Sequence, residues 1–158
     1  MLLSWKQRDP NSCGAAALMV ILAEYGLVGL SGDREESIWK EIRARQRELG
    51  SMPGLIAVRA LREGLAPVVW LDDARIELTE RVFKHGVAFD VSTLLEEHRR
   101  GLSEADKAGI PIRHERTDPD NFLELLAEGC HLMVAVVDTA MDSTVNLQEI
   151  EARLTARV

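Results

Sequence analysis

Gln7-Arg8-Asp9-Pro10-Asn11-Ser12-Cys13-Gly14, running into Ala15-Ala16-Ala17-Leu18-Met19-Val20-Ile21-Leu22-Ala23, is the stretch on which the reading of this chain turns. Polar residues lead to a cysteine, a glycine stands directly behind it, and an unbroken apolar run follows. The run predicts a buried helix that opens at Cys13. A thiol in the first turn of a helix faces unpaired N–H groups and the positive end of the dipole, which favour the charged, nucleophilic form of sulfur. A glutamine six residues earlier supplies a side-chain N–H for the negative oxygen that develops when sulfur attacks a carbonyl. Asn11 or Ser12 is placed to cap the helix, Pro10 stiffens the approach, and Gly26 stands where a left-handed C-terminal cap belongs. The bland reading makes Cys13 a small hydrophobe at a helix start and Gln7 a surface residue.

The context favours the first reading. Gln7, Cys13-Gly14, the small residues Ala15 to Ala17, the aliphatic run Leu18 to Leu22 and Tyr25-Gly26 together resemble the papain-like cysteine peptidase superfamily. Within it, the segment is similar to the peptidases that process double-glycine bacteriocin leaders and to their stand-alone relatives. The resemblance implies an α+β, papain-like fold in a single domain over residues 1–158. It also implies an N-terminal helical part, with the cysteine at a helix N-terminus, packed on a small antiparallel sheet. The likeness extends loosely over residues 5–138, and its specific motifs lie between Gln7 and Gly26.

Composition sets the outer bounds. At 158 residues the chain is long enough to bury one ordinary core, and a 46% hydrophobic content is that of a globular protein. The formal net charge is −7, and the largest basic cluster is Arg43, Arg45 and Arg47, so the electrostatic footprint of a nucleic-acid binder is missing. An acidic surface also repels anionic membranes. The stretch Met1 to Lys6 is too short for a signal peptide, and no apolar run approaches the roughly 18 residues of a membrane span. The expectation is a cytoplasmic protein with no nucleic-acid or membrane partner. Cys13 and Cys130 are then expected to be free thiols.

Further along, Asp33 and Glu36 form a capping-box pattern for a helix through Ile38, Trp39 and Ile42, reaching Leu49 and ending at Gly50. A helix over 55–63 with Gly64 as its stop leads into a strand over 66–71. Helices are expected over 78–83 and over 91–100, the latter stopped by Gly101, with Ser103 and Asp106 as another capping box. The run Glu96-Glu97-His98-Arg99-Arg100 reads as a solvated face. Ile110 to His114 alternates like an edge strand that tolerates Pro111. Asp118 and Pro119 start a helix whose buried stripe is Phe122, Leu123, Leu125 and Leu126, ending at Gly129. A strand over 132–137 and a short helix over 147–154 close the chain.

A thiolate nucleophile needs a base, and there are four histidines, His85, His98, His114 and His131. His85 and His98 sit in charged helical surroundings, and His114 shares a strand face with Ile110 and Ile112. His131 is best placed, immediately before an apolar strand, with Asp138 as its orienting partner, or Asp142 or Asn146 if the chain turns back. The chain departs from the family here. In the relatives the strand after a Leu-Leu-x-x-Gly helix end is followed by a second strand that begins with His and leads to Asp-Pro, whereas residues 139–158 hold no histidine, tryptophan or Asp-Pro. If Leu125-Leu126-Ala127-Glu128-Gly129 marks that helix end, the family base is not His131. The dyad is then lost, rebuilt from another histidine, or completed by a partner chain or a second copy.

No Gly-x-Gly-x-x-Gly or Gly-Lys-Ser phosphate loop is present, and Cys130-His131 has no further ligand at finger-like spacing, so no cofactor and no metal are expected. Asp72-Asp73, after a strand, reads as a turn, with a ligand role as the alternative. The function expected is acyl transfer on an amide, peptide or thioester, by a peptidase, amidase, transferase or cyclase using Cys13, Gln7, His131 and Asp138. The alternative is a catalytically inactive papain-like domain that binds a peptide or protein partner.

Overall fold

The computed structural model describes residues 3–71, 91–115 and 119–133. Its contacts gather into two compact units, Met1–Arg116 and Thr117–Val158. The first contains helices α1 (Cys13–Glu24), α2 (Gly32–Ile42), α3 (Pro53–Arg62) and α4 (Val91–Lys107), with strands β1 (Val69–Leu71) and β2 (Ile112–His114).

The helix α1 is apolar around most of its circumference because it is enclosed by α2 and α3. Ala15, Leu18, Met19 and Leu22 of α1 join Ile38, Trp39 and Ile42 of α2 and Leu55 and Ala60 of α3 in one core. Leu18, Met19 and Leu22 are almost completely buried. Truncating any of them to alanine would cost about 2–5 kcal/mol. Gly26 adopts φ 70° and lets the Leu27 amide reach back to Leu22 O at 2.9 Å, closing the helix as the glycine position anticipates.

Two helix boundaries differ from expectation. The cap of α2 is Ser31, whose side chain accepts from the Arg34 amide, so the Asp33–Glu36 pair is not the capping box. That helix ends at Ile42 rather than Leu49, because Arg43 turns extended and Ala44 drops into the core. The chain then folds on itself: Ala44 N donates to Gly50 O at 2.9 Å, Met52 N donates to Ile42 O at 3.1 Å, and Gly50 takes φ 72°. Helix α4 runs straight through Gly101, so Ser103 and Asp106 lie inside it and cap nothing. Its exit is the left-handed Gly109, at φ 74°. Gly101 is buried where α4 crosses the start of α3: a Cβ on Gly54 would lie 2.7 Å from Leu102 N and closer still to the Gly101 carbonyl. The glycine marks a close helix crossing, which overrides its use as a stop.

The sheet is the main correction. β1 and β2 pair in parallel, with Val69, Trp70 and Leu71 opposite Ile112, Arg113 and His114. The expected small sheet was antiparallel. Strands joined through a helix such as α4 emerge in the same direction, whereas antiparallel neighbours are joined by tight turns. The sheet is covered by α3 and α4, through Ala57, Val69, Ala105 and Ile110, so the cysteine-bearing helix packs mainly on its fellow helices. Across the pair, the Arg113 guanidinium sits 5.3 Å from the centre of the Trp70 ring.

In the second unit, helix α5 (Pro119–Ala127) half-buries Phe122, Leu123 and Leu125, while Leu126, expected in the same stripe, is 39% exposed. Gly129 at φ 83° ends it, with Cys130 N donating to Leu125 O at 2.9 Å. Leu132 and Met133 belong to no strand. The Asp72-Asp73 turn, the helices over 78–83 and 147–154, the remainder of the 132–137 strand, His85, Asp118, Asp138, Asp142 and Asn146 lie outside the described residues.

Candidate active site

Cys13 is the first residue of α1 and its side chain is exposed. The first bond to reach the helix from inside is Ala16 N to Ser12 O, at 2.9 Å, so the amides of Cys13, Gly14 and Ala15 have no acceptor within the helix. Ser12 occupies the N-cap position and its side chain makes no capping bond. The turn before the thiol is built from its own polar groups. Ser12 N donates to Asp9 O at 3.1 Å, and Asn11 N donates to Asp9 Oδ1 at 2.9 Å. The Asn11 amide bond, opposed by partial burial and aided by the Arg47 guanidinium, holds the Asp9 carboxyl below its ordinary range. Arg47 thereby ties the loop after α2 to this turn.

Gln7 Nε2 donates to Asp9 O at 3.1 Å and to Pro10 O at 2.9 Å. Both amide protons are therefore spent on the turn, and Gln7 acts as its staple in this structure. The bond to Pro10 is exposed, so exchanging it for another acceptor costs little.

The central group is one that sequence reasoning passed over. Glu35 on α2 is only 2% exposed. Its Oε2 accepts from the Trp5 indole N–H at 2.6 Å, and its Oε1 accepts from the Arg8 amide at 3.0 Å and the Ser12 hydroxyl at 2.5 Å. Burial alone would raise this carboxyl, but the Ser12, Trp5 and Arg8 hydrogen bonds outweigh it and the net shift is downward. A single carboxylate thus grips the residue after Gln7 and the residue before Cys13. The signal was visible: positions 35, 38, 39 and 42 share a helical face, so a glutamate among Ile38, Trp39 and Ile42 must be buried.

Gly14 is required by its neighbour. A Cβ there would stand 2.6 Å from Ser51 Oγ and 3.1 Å from Ile56 Cδ1. Ser51 Oγ is itself buried and has no hydrogen-bond partner. On the α2 side of the turn a cleft of about 390 Å³ opens between Arg8, Ser12, Lys40, Arg43 and Arg47. Asp9 and Glu36 answer Arg47 and Lys40 there.

Gln7 and Cys13 therefore stand at the two ends of one braced turn. Of the histidines, His131 is exposed in the second unit and Asp138 lies outside the described residues. His114 is exposed on β2 rather than directed inward. His98, read as part of a solvated face, is half-buried, and burial lowers its affinity for a proton. Its neighbour Glu97 is 2% exposed and accepts from the Arg45 amide at 3.0 Å and from Arg100 at 2.7 Å, so the expected solvated run is split by a buried anchor. Among the described residues no three His, Cys, Asp or Glu side chains gather as a metal site, and no helix is long and apolar enough to cross a membrane.

Against known proteins, residues 4–146 match the model of the Peptidase_C39 like family, and the chain belongs to that family. Membership gives it cysteine peptidase-like character, and its mixture of helices with a small sheet is compatible with a papain-like fold. No curated protein and no solved structure matches the chain.

Proposed function

We propose that the chain is a cysteine-dependent acyl-transfer enzyme acting on an amide, peptide or thioester, with Cys13 as nucleophile. The observation that carries this reading is the exposed thiol at the first position of a helix whose leading amides are uncapped, in a chain of the C39-like family. Sulfur attacks the carbonyl carbon, a C–S bond forms, and the carbonyl electron pair moves onto oxygen. That oxygen meets the Cys13 amide and the Gln7 side chain, which gives up its exposed Pro10 bond to receive it. Collapse expels the amine or thiol, protonated by the base, and water or an amine then releases the acyl group. His131 is the proposed base and Asp138 its orienting partner.

Acyl-enzyme trapping tests the reading. With p-nitrophenyl acetate the wild-type chain should gain one acetyl group at Cys13, and Cys13→Ala should gain none. Unchanged acylation of Cys13→Ala refutes the nucleophile. A wild-type chain that is never acylated, yet binds peptide, supports the non-catalytic alternative, in which Gln7 keeps both its loop bonds.

A further inference from the structure

The first turn of α1 stands open because the residue placed to cap it is held elsewhere. An N-cap serine ordinarily turns its oxygen onto the amide of the second or third helical residue, here Gly14 or Ala15. Ser12 instead stands at φ −91°, ψ 15°, outside the extended region that capping uses, and its side chain makes no bond to the helix. Its hydroxyl carries a single proton. Glu35 Oε1 at 2.5 Å takes that proton in preference to Asp9 O at 2.9 Å, because a carboxylate is the stronger acceptor, while the Ser12 oxygen accepts from the Asp9 amide at 3.3 Å. Glu35 cannot follow Ser12 toward the helix, since the Trp5 indole and the Arg8 amide hold its two oxygens on the α2 side.

We infer that Glu35 is a positioning residue for the Cys13 chemistry: it retains the Ser12 hydroxyl and so leaves the Cys13, Gly14 and Ala15 amides to the oxyanion of the reacting acyl group. The inference rests on the acyl-transfer reading of Cys13. It differs from a purely structural role in one consequence. If Glu35 acts by keeping Ser12 off the helix, its loss does harm through Ser12, and the harm disappears when the hydroxyl is removed as well.

The test uses the full chain with Glu35→Ala, Ser12→Ala, the Glu35→Ala/Ser12→Ala pair and Glu35→Gln. Each is acylated at Cys13 with p-nitrophenyl acetate, melted to confirm folding, and alkylated with iodoacetamide, a reaction that forms no oxyanion. Glu35→Ala should acylate about tenfold more slowly, the scale of one capping bond, and should lose less in alkylation, which forms no oxyanion. Glu35→Gln keeps a carbonyl acceptor for Ser12 and should stay within about threefold of wild type. The double variant should recover most of the rate lost by Glu35→Ala. Should Glu35→Ala fail to fold, Ser12→Ala decides: it should acylate at least as fast as wild type, and a tenfold loss would overturn the inference. A double variant no faster than Glu35→Ala overturns it too, as does Glu35→Ala acylating at the wild-type rate. A wild-type chain that is never acylated at Cys13 overturns the acyl-transfer reading and this inference with it, whereas any of the contrary variant results above in a chain that is acylated overturns the inference alone.

Discussion

Gly54→Ala and Gly101→Ala probe one helix crossing from its two sides and should give opposite results. A Cβ added at Gly54 would lie 2.7 Å from Leu102 N and nearer still to the Gly101 carbonyl, all backbone atoms of α4. Ordinary carbon contacts are about 3.5–4.0 Å, so α4 would have to recede from α3 by roughly 1 Å. Overpacking of this kind costs about 1–3 kcal/mol, and because backbone rather than a side-chain tip is struck, the upper half of that range applies. The gain in helix propensity from Gly to Ala, at most about 1 kcal/mol, is small near the start of α3. The net expectation is a loss of about 2 kcal/mol. At a urea slope near 2 kcal/mol/M that lowers the unfolding midpoint by about 1 M. At Gly101 the nearest atoms to the added carbon are Met52 Cβ at 3.2 Å and Leu55 N at 3.6 Å, which need yield only slightly. The mid-helix gain of about 0.5–1 kcal/mol then offsets the overlap, leaving Gly101→Ala near neutral. Urea unfolding of the two variants beside wild type checks both values. Gly54→Ala as stable as wild type, or Gly101→Ala the more damaged of the two, would refute the crossing.

Stability should fall with acid in two stages. Half-buried His98 binds its proton less readily in the folded chain than when unfolded, so its contribution is full above the ordinary histidine value and is lost as pH falls below about 6.5. Glu35 and Glu97 also hold fewer protons when folded, and their contribution drains below about pH 4.3. Melting from pH 8 to 3 should show both stages, and His98→Gln should erase only the upper one. Trp5→Phe deletes the indole bond to the Glu35 carboxylate and should cost about 1.5–3 kcal/mol by urea unfolding; a loss under 0.5 kcal/mol would mean that bond is idle. Gly14→Ala would set its Cβ 2.6 Å from Ser51 Oγ and 2.7 Å from Ser51 Cβ, the second fixed to the backbone, so it should destabilise by about 1–3 kcal/mol, and an unchanged urea midpoint would contradict the contact.

Much of the helical part was legible because local signals agreed with the tertiary result. The apolar run after Cys13, the 38–39–42 stripe and the left-handed glycines at 26, 50, 64 and 129 each mark an element or its end. Gly101 misled because a glycine that admits a neighbouring helix looks, in one dimension, like one that ends its own. The direction of the β1–β2 pairing is set by what joins the strands, which no strand pattern carries. Gln7 and Cys13 were recognisable by residue type, whereas the use of both Gln7 protons inside the loop depends on where the Asp9 and Pro10 carbonyls turn. Glu35 and Glu97 were missed for a shared reason. Glu97 was assigned to a solvated face with its charged neighbours and Glu35 was passed over, although helical spacing put each on a buried face, where backbone and side-chain donors converge on it.

The two cysteines of the chain offer the most direct measurement of the central claim. Both are exposed; Cys13 opens α1 at its uncapped amides, and Cys130 follows the carbonyl end of α5. Limiting iodoacetamide at pH 7, read by peptide mass mapping of the native chain, compares them within one molecule. The account predicts that Cys13 is labelled faster, on the order of tenfold, because it stands at the amide end of its helix whereas Cys130 stands past the carbonyl end of its own. Equal labelling, or faster labelling of Cys130, would contradict it.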